Sequence, residues 1–148
     1  MTLPESKGNS LKTVMLITRE MQARCFADRD LDRIAGITDL QAAAVDEMDD
    51  SRQLDLVEGA DIAVTGWGTC PITDEMLDRA PGLRLMCHSA GSVKHLVSET
   101  FAARGIRVSS ARGALARGVA EFAFGMMLVS MKAVWQYHGA TLTGQWKR

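Results

Sequence analysis

Short apolar runs alternate with polar stretches through most of this chain, and the polar stretches carry helix punctuation. The runs are Thr13–Thr18 (TVMLIT), Leu40–Val45 (LQAAAV), Asp61–Thr65 (DIAVT), Arg84–His88 (RLMCH) and Ile106–Ser109 (IRVS). Each has the length of a strand, and MLI and IAV have the unbroken apolar character of strands buried on both faces. Between them, Glu20–Ile34 fits a longer helix with Met21, Phe26 and Leu31 among its apolar positions. Leu54–Val57 reads as a short helix closed by Gly59. Thr73 can cap a helix whose first turn holds Asp74 and Glu75, where the helix dipole favours acids, and which ends near Arg79 because Pro81-Gly82 cannot continue it. Ser98 can cap SETFAAR, with Gly105 as a left-handed terminator. Strand and helix in alternation mean βαβ units. The expected fold is therefore α/β: a flavodoxin-like five-stranded parallel sheet, order 2-1-3-4-5, with helices on both faces.

The last predicted helix, Gly118 to Tyr137, differs from the rest. Phe122, Phe124, Met126, Met127, Leu128 and Met131 point around most of its circumference, and Glu121 and Lys132 are its only charges between Val119 and Trp135. A helix apolar all round wants cover all round. Each of those side chains gains roughly 1.5–3 kcal/mol on burial. One sheet face cannot supply that cover, so a second domain or a second subunit is implied. A homodimer through the 118–137 helix is the expected association.

Composition narrows the function classes. A length of 148 residues suits one domain of ordinary size, and 47% hydrophobic with 24% charged residues is a globular balance. The net charge of −1 gives no electrostatic footprint for nucleic acid or an anionic membrane. The longest uncharged apolar run, Phe122–Met131, is ten residues and too short to span a bilayer. Cys25, Cys70 and Cys87 are odd in number and form no CxxC, which points to free thiols in a cytoplasmic protein and to no metal site. Residues 1–11 open with polar MTLPESKGNS and read as a flexible leader.

In parallel sheets, ligands gather beyond the carboxyl ends of the strands. Those ends carry Thr18-Arg19, Thr65 to Thr69, His88 to Ser92 and Ser109 to Gly113. Small residues in such turns leave consecutive N–H groups free to hold an anion, although a plain tight βα turn has the same composition. Gly66-Trp67-Gly68-Thr69-Cys70-Pro71 follows a strand but fails as GxGxxG, since proline stands at the third glycine, and no GxxxxGK[ST] occurs. The chain thus carries no recognisable nucleotide site. His88 can donate to a ligand oxygen and Trp67 can wall a substrate, while local hydrogen bonding and packing account for the same residues. His95 and His138 have no visible acid partner, and surface placement is the default for Arg19, Arg112 and Arg117. The serines lack a GxSxG elbow, Cys87 reads as a buried thiol, and Glu121 suits a helix start.

VTGWG at 64–68, LRLMCHSAGSV at 83–93, GIRVSS at 105–110 and GVAEFAFGMML at 118–128 follow one another in an order and spacing that resembles the D-isomer-specific 2-hydroxyacid dehydrogenases. The resemblance implies a flavodoxin-like substrate domain over residues 12–111. It also implies a linker and helix over 112–148 that begin a nucleotide-binding domain absent from this chain. It places the substrate carboxylate on the turn Ser89, Ala90, Gly91 and Ser92, with Trp67, Gly68 and His88 as neighbouring candidates. NAD or NADP would serve the complete enzyme and none would bind this chain, which would hold no catalytic residue. There are departures. The turn continues Gly91-Ser92-Val93-Lys94-His95-Leu96 instead of GxGxDxxD, and Leu115 stands where asparagine is common. The implied role is the substrate portion of an oxidoreductase acting at C2 of a small 2-hydroxy or 2-oxo acid, inactive alone. A stand-alone dimeric module that binds small carboxylates or a protein partner is the alternative.

Overall fold

A computed structural model describes residues 10–145, and the chain divides into two compact units after Ala111. The first unit contains β1 (Lys12–Leu16), α1 (Arg19–Cys25), α2 (Asp28–Ala35), β2 (Asp39–Gln41), α3 (Asp50–Val57), β3 (Ile62–Thr65), α4 (Asp74–Arg79), β4 (Leu85–His88), α5 (Glu99–Ala103) and β5 (Arg107–Ser110). All strand pairs are parallel, in the order β2-β1-β3-β4-β5. This is the expected flavodoxin-like sheet. Of the leader predicted over 1–11, residues 1–9 lie outside the described residues.

The strand order dictates which face each helix covers. Right-handed crossovers put α1 and α2, on the way from β1 out to β2, on one face. They put α3, α4 and α5, on the way inward and across, on the other. The core splits accordingly. Val14, Leu16, Ala63 and Met86 pack with Val57, Met76, Leu77 and Phe101 on the three-helix face. Met15, Ile17 and Val64 pack with Met21, Phe26, Leu31 and Ile34 on the two-helix face. On that second face the sheet beyond β3 has no helix of its own unit. A groove of about 560 Å³ remains there, lined by Phe26, Ile34, Ile62, Val64, Leu85 and Cys87 among others. Every residue of β5 is exposed.

Three local expectations are corrected. The helix read over Glu20–Ile34 is two helices, because Phe26 and Ala27 take extended conformations and Asp30 accepts the Ala27 N–H at 3.3 Å, starting a new helix. The run Leu40–Val45 pairs only over Asp39–Gln41; its later part becomes a loop whose Val45 carbonyl accepts the Arg19 N–H at 2.9 Å. The helix read at Leu54–Val57 starts earlier, since the Asp49 carboxylate caps it by accepting from the Arg52 N–H. Elsewhere the punctuation holds. Thr73 and Ser98 accept from the N–H groups of Met76 and Phe101, and Gly59 and Gly105 have φ of +66° and +68°.

The second unit is α6 (Arg112–Met131) and α7 (Val134–Leu142). Helix begins at Arg112 instead of Gly118, and the single helix read to Tyr137 is broken at Ala133, which takes φ +50°. A left-handed alanine costs roughly 1–2 kcal/mol. No residue of either helix is buried; Val119, Phe122 and Met131 are 66%, 71% and 80% exposed.

Candidate functional site

Parallel pairing of β3 with β4, in register Thr65 with His88, brings the two glycine-bearing turns side by side at the carboxyl edge of the sheet. Their contact is intimate. A Cβ on Gly66 would lie 2.7 Å from Ser89 Oγ and 3.1 Å from Ile17 Cγ2, so only glycine fits between β1 and the β4 turn. The Thr65 carbonyl accepts twice from Ser89, from its N–H at 2.8 Å and its hydroxyl at 2.9 Å. Ser89 is thereby fixed, and its hydroxyl proton is already used.

The following amides are not used. Among the described residues, no protein acceptor takes the N–H groups of Ala90, Gly91 or Ser92, although Ala90 is only 1% exposed and its own carbonyl accepts from Ala111 at 3.1 Å. Three successive unpaired N–H groups at a strand's end are a ready site for an anion, because buried amides elsewhere in proteins are nearly always paired. Gly91 is half-buried and Ser92 is exposed, which leaves the turn accessible.

His88 is placed differently from a ligand donor in open solvent. It is 4% exposed, its Nδ1 lies 3.0 Å from Thr65 Oγ1, and the His95 ring meets it edge-on with centroids 6.2 Å apart. Burial, and secondarily the electrostatic effect of the neighbouring His95, hold its pKa below the usual histidine value. His88 is therefore a neutral imidazole that ties β4 to β3.

The neighbouring loop is built with equal care. Trp67 and Gly68 are exposed, and Gly68 has φ of +84°, a region closed to most side chains. Thr69 is buried; its hydroxyl donates to the Leu16 carbonyl at 2.6 Å and accepts from the Gly66 N–H at 2.9 Å. The sequence marks Thr69 only as one residue of a strand-end turn, and it gives no sign of Gln53. Gln53 sits on α3, is fully buried, and grips the Cys70 backbone at both its N–H and its carbonyl. Its placement opposite Cys70 depends on tertiary packing across 17 residues.

Arg19 pairs with Asp46 at 3.1 Å and also donates to the Ala44 carbonyl. Arg112, Arg117 and Glu121 belong to the second unit. Burial raises the thiol pKa of Cys87, and burial together with the carboxylate of Asp50 raises that of Cys70, so both stay protonated at neutral pH. No cluster of three or more His, Cys, Asp or Glu suited to a metal occurs among the described residues.

The loop after β3 does not present a nucleotide-binding helix end. The glycine loop after β3 leads into α4, six residues long, whose first turn carries Asp74 and Glu75 and whose cap is already made by Thr73. A pyrophosphate needs a free, unacidic helix N-terminus. The groove of the two-helix face reaches these turns, since His88, Ser89, Ser109 and Ser110 line it beside its apolar residues.

Residues 15–146 match the family model for the D-isomer specific 2-hydroxyacid dehydrogenase catalytic domain. Among curated protein sequences, none matches the chain. Solved structures do. A protein from Pyrococcus horikoshii is 20% identical with a TM-score of 0.74, covering 93% of this chain and 38% of its own. D-Lactate dehydrogenase from Aquifex aeolicus, complexed with NAD and lactic acid, is 16% identical with a TM-score of 0.64, covering 93% and 38%. The NAD-bound 3-phosphoglycerate dehydrogenase of Entamoeba histolytica is 17% identical with a TM-score of 0.59, covering 82% and 39%. The chain thus spans about two fifths of the length of these structures.

Proposed function

The chain belongs to the D-isomer specific 2-hydroxyacid dehydrogenases, and we propose that it is the substrate-holding portion of such an enzyme, with the carboxylate of a small 2-hydroxy or 2-oxo acid seated on the turn Ser89–Ser92. The observation that carries this reading is the run of unpaired amides at Ala90, Gly91 and Ser92. Charge-assisted hydrogen bonds of this kind contribute roughly 1.5–3 kcal/mol each. Trp67 and Gly68 stand on the adjoining loop as candidate walls, and His88 supports the turn from beneath through Thr65.

In the complete enzyme a hydride would pass between NAD or NADP and C2 of the acid. That chemistry is the cofactor's, and a nucleotide-binding domain outside these residues would hold it. This chain supplies the anion turn and the surface on which that domain closes. The domain division we propose follows the same logic: substrate domain over 12–111, then the helical start of the nucleotide domain. The three free cysteines favour a cytoplasmic setting.

Two measurements test the reading. The chain should show no NADH oxidation with glyoxylate, pyruvate or hydroxypyruvate, and turnover above buffer would overturn it. Oxalate, a planar dicarboxylate, should shift the backbone amide resonances of Ala90, Gly91 and Ser92; unmoved resonances at saturating oxalate would sink the carboxylate site.

The exposed apolar surface of α6 supports a second reading, a self-contained dimer that binds carboxylates without catalysis. By length and composition α6 could also cross a bilayer, with 20 residues and mean hydropathy 1.4. Arg117 and Glu121 lie inside it, however, and a charge near a bilayer centre costs roughly 2.5–3.5 kcal/mol. A docking role against protein is favoured. Light scattering on the purified chain separates the two soluble readings: a module gives one defined dimer, a substrate domain without its neighbour gives polydisperse association.

A further inference from the structure

We propose that Gln53 is a positioning residue for the candidate substrate site: its side-chain amide fixes the loop Gly66–Cys70, so that Trp67 is presented on a preformed wall beside the Ser89–Ser92 turn. The proposal rests on the carboxylate reading above.

The loop leaves β3 at Thr65 and would be free to move if only its ends were tied. It is instead pinned at the two successive residues that follow its exposed tip. At Thr69, the hydroxyl closes the turn onto Gly66 and anchors it to the Leu16 carbonyl of β1, and the N–H donates to the Gly66 carbonyl at 3.3 Å. At Cys70, where the loop moves on toward α4, Gln53 Nε2 donates to the carbonyl at 2.9 Å and Gln53 Oε1 accepts from the N–H at 2.9 Å. A primary amide satisfies a backbone peptide in this two-point way because it is itself a donor–acceptor pair. Trp67, 56% exposed, and Gly68 are all that projects between Gly66 and these anchors.

Core packing alone does not explain glutamine here. Position 53 is fully buried on the apolar face of α3, beside Val57 and Met76, whose sulfur lies 3.3 Å from Nε2. A leucine would fill that space without a polar group to satisfy. Apart from that Nε2 contact with Met76 Sδ, the amide is spent on the loop.

The test uses the whole chain with Trp135→Phe and Trp146→Phe, leaving Trp67 as the sole tryptophan. Oxalate affinity, followed by amide resonances of the Ser89–Ser92 turn, and Trp67 fluorescence anisotropy are read for Gln53, Gln53→Leu and Gln53→Glu. Gln53→Leu should lower the anisotropy and weaken oxalate about tenfold while the protein stays folded by circular dichroism. Gln53→Glu supplies the discriminating readout. Protonated, it offers the same donor and acceptor to Cys70; ionised, it has no donor for the Cys70 carbonyl, and burial near Asp49 and Asp50 raises the pH at which it ionises. Its anisotropy and affinity should match the glutamine protein at pH 5 and the leucine variant at pH 8, against a glutamine control measured at both. Undiminished oxalate affinity and anisotropy in folded Gln53→Leu would overturn the proposal and leave the carboxylate site standing. Absence of oxalate binding by the glutamine protein would remove the site and this proposal together.

Discussion

Gly66→Ala offers the sharpest test of how the two turns are fitted together. The added Cβ would stand 2.7 Å from Ser89 Oγ and 3.1 Å from Ile17 Cγ2. Gly66 does not have a positive φ, so the substitution carries no backbone penalty and gains roughly 0.4–1 kcal/mol by restricting the unfolded chain. Against this, forcing a methyl into a packed site costs roughly 1–3 kcal/mol. Displacing Ser89 also breaks its hydroxyl bond to the Thr65 carbonyl, about 0.5–1.5 kcal/mol. The net expectation is a loss of about 0.5–4 kcal/mol. Urea denaturation of Gly66→Ala, Ser89→Ala and the double variant closes a cycle that isolates the contact. Removing the Ser89 hydroxyl relieves the shorter clash, so the double variant should be more stable than the sum of the singles by about 1 kcal/mol or more. Strict additivity would refute the fit between Gly66 and Ser89, and with it the rigid pairing of the turns.

Thr69→Val should cost about 2–3 kcal/mol, because it deletes two hydrogen bonds of a buried hydroxyl and strands the Gly66 N–H and Leu16 carbonyl; urea midpoints check this. Thr13→Val should be neutral or stabilising by up to about 1 kcal/mol, since Thr13 Oγ1 is the buried side-chain oxygen without a partner among the described residues; a clear loss would show that the hydroxyl has a partner. His88, with its folded pKa lowered from 6.5 by burial and by His95, binds its proton less readily than the unfolded chain does. Its contribution to stability is complete above pH 6.5 and is lost as pH falls below that value toward the folded pKa. His88→Gln should flatten that part of the stability–pH curve. Phe122→Glu together with Met131→Glu should reduce self-association seen by light scattering, because both side chains are exposed on α6. Unchanged association would place the contact elsewhere.

Much of the architecture was legible in residue order. Alternation of apolar runs with capped segments implied parallel βαβ units, and short-range chemistry set their ends: Thr73 and Ser98 as caps, Gly59 and Gly105 as left-handed stops. These are decisions made within a few residues, where side chain and backbone meet whatever the rest of the fold does. The break at Phe26-Ala27 was illegible because apolar periodicity runs through it, and what opposes it is Phe26 turning into the core. β2 ends at Gln41 although β1 runs on to Leu16, because beyond it the Ala43 N–H donates to the Gln22 side chain and the Val45 carbonyl accepts from the Arg19 N–H.

The candidate turns were nameable from sequence as small residues after strands. Their chemistry was not. Which amides of Ser89–Ser92 stay unpaired follows from Thr65 accepting from Ser89 and from no acceptor reaching the next three, a fact of β3 lying beside β4. Burial made His88 a strut, and Gln53 acquired its grip on Cys70 only because α3 packs against that loop. Hydrogen bonds act over about 3 Å. A linear sequence can fix which groups are available, whereas folding alone decides which of them come within that reach and which are left open for a ligand.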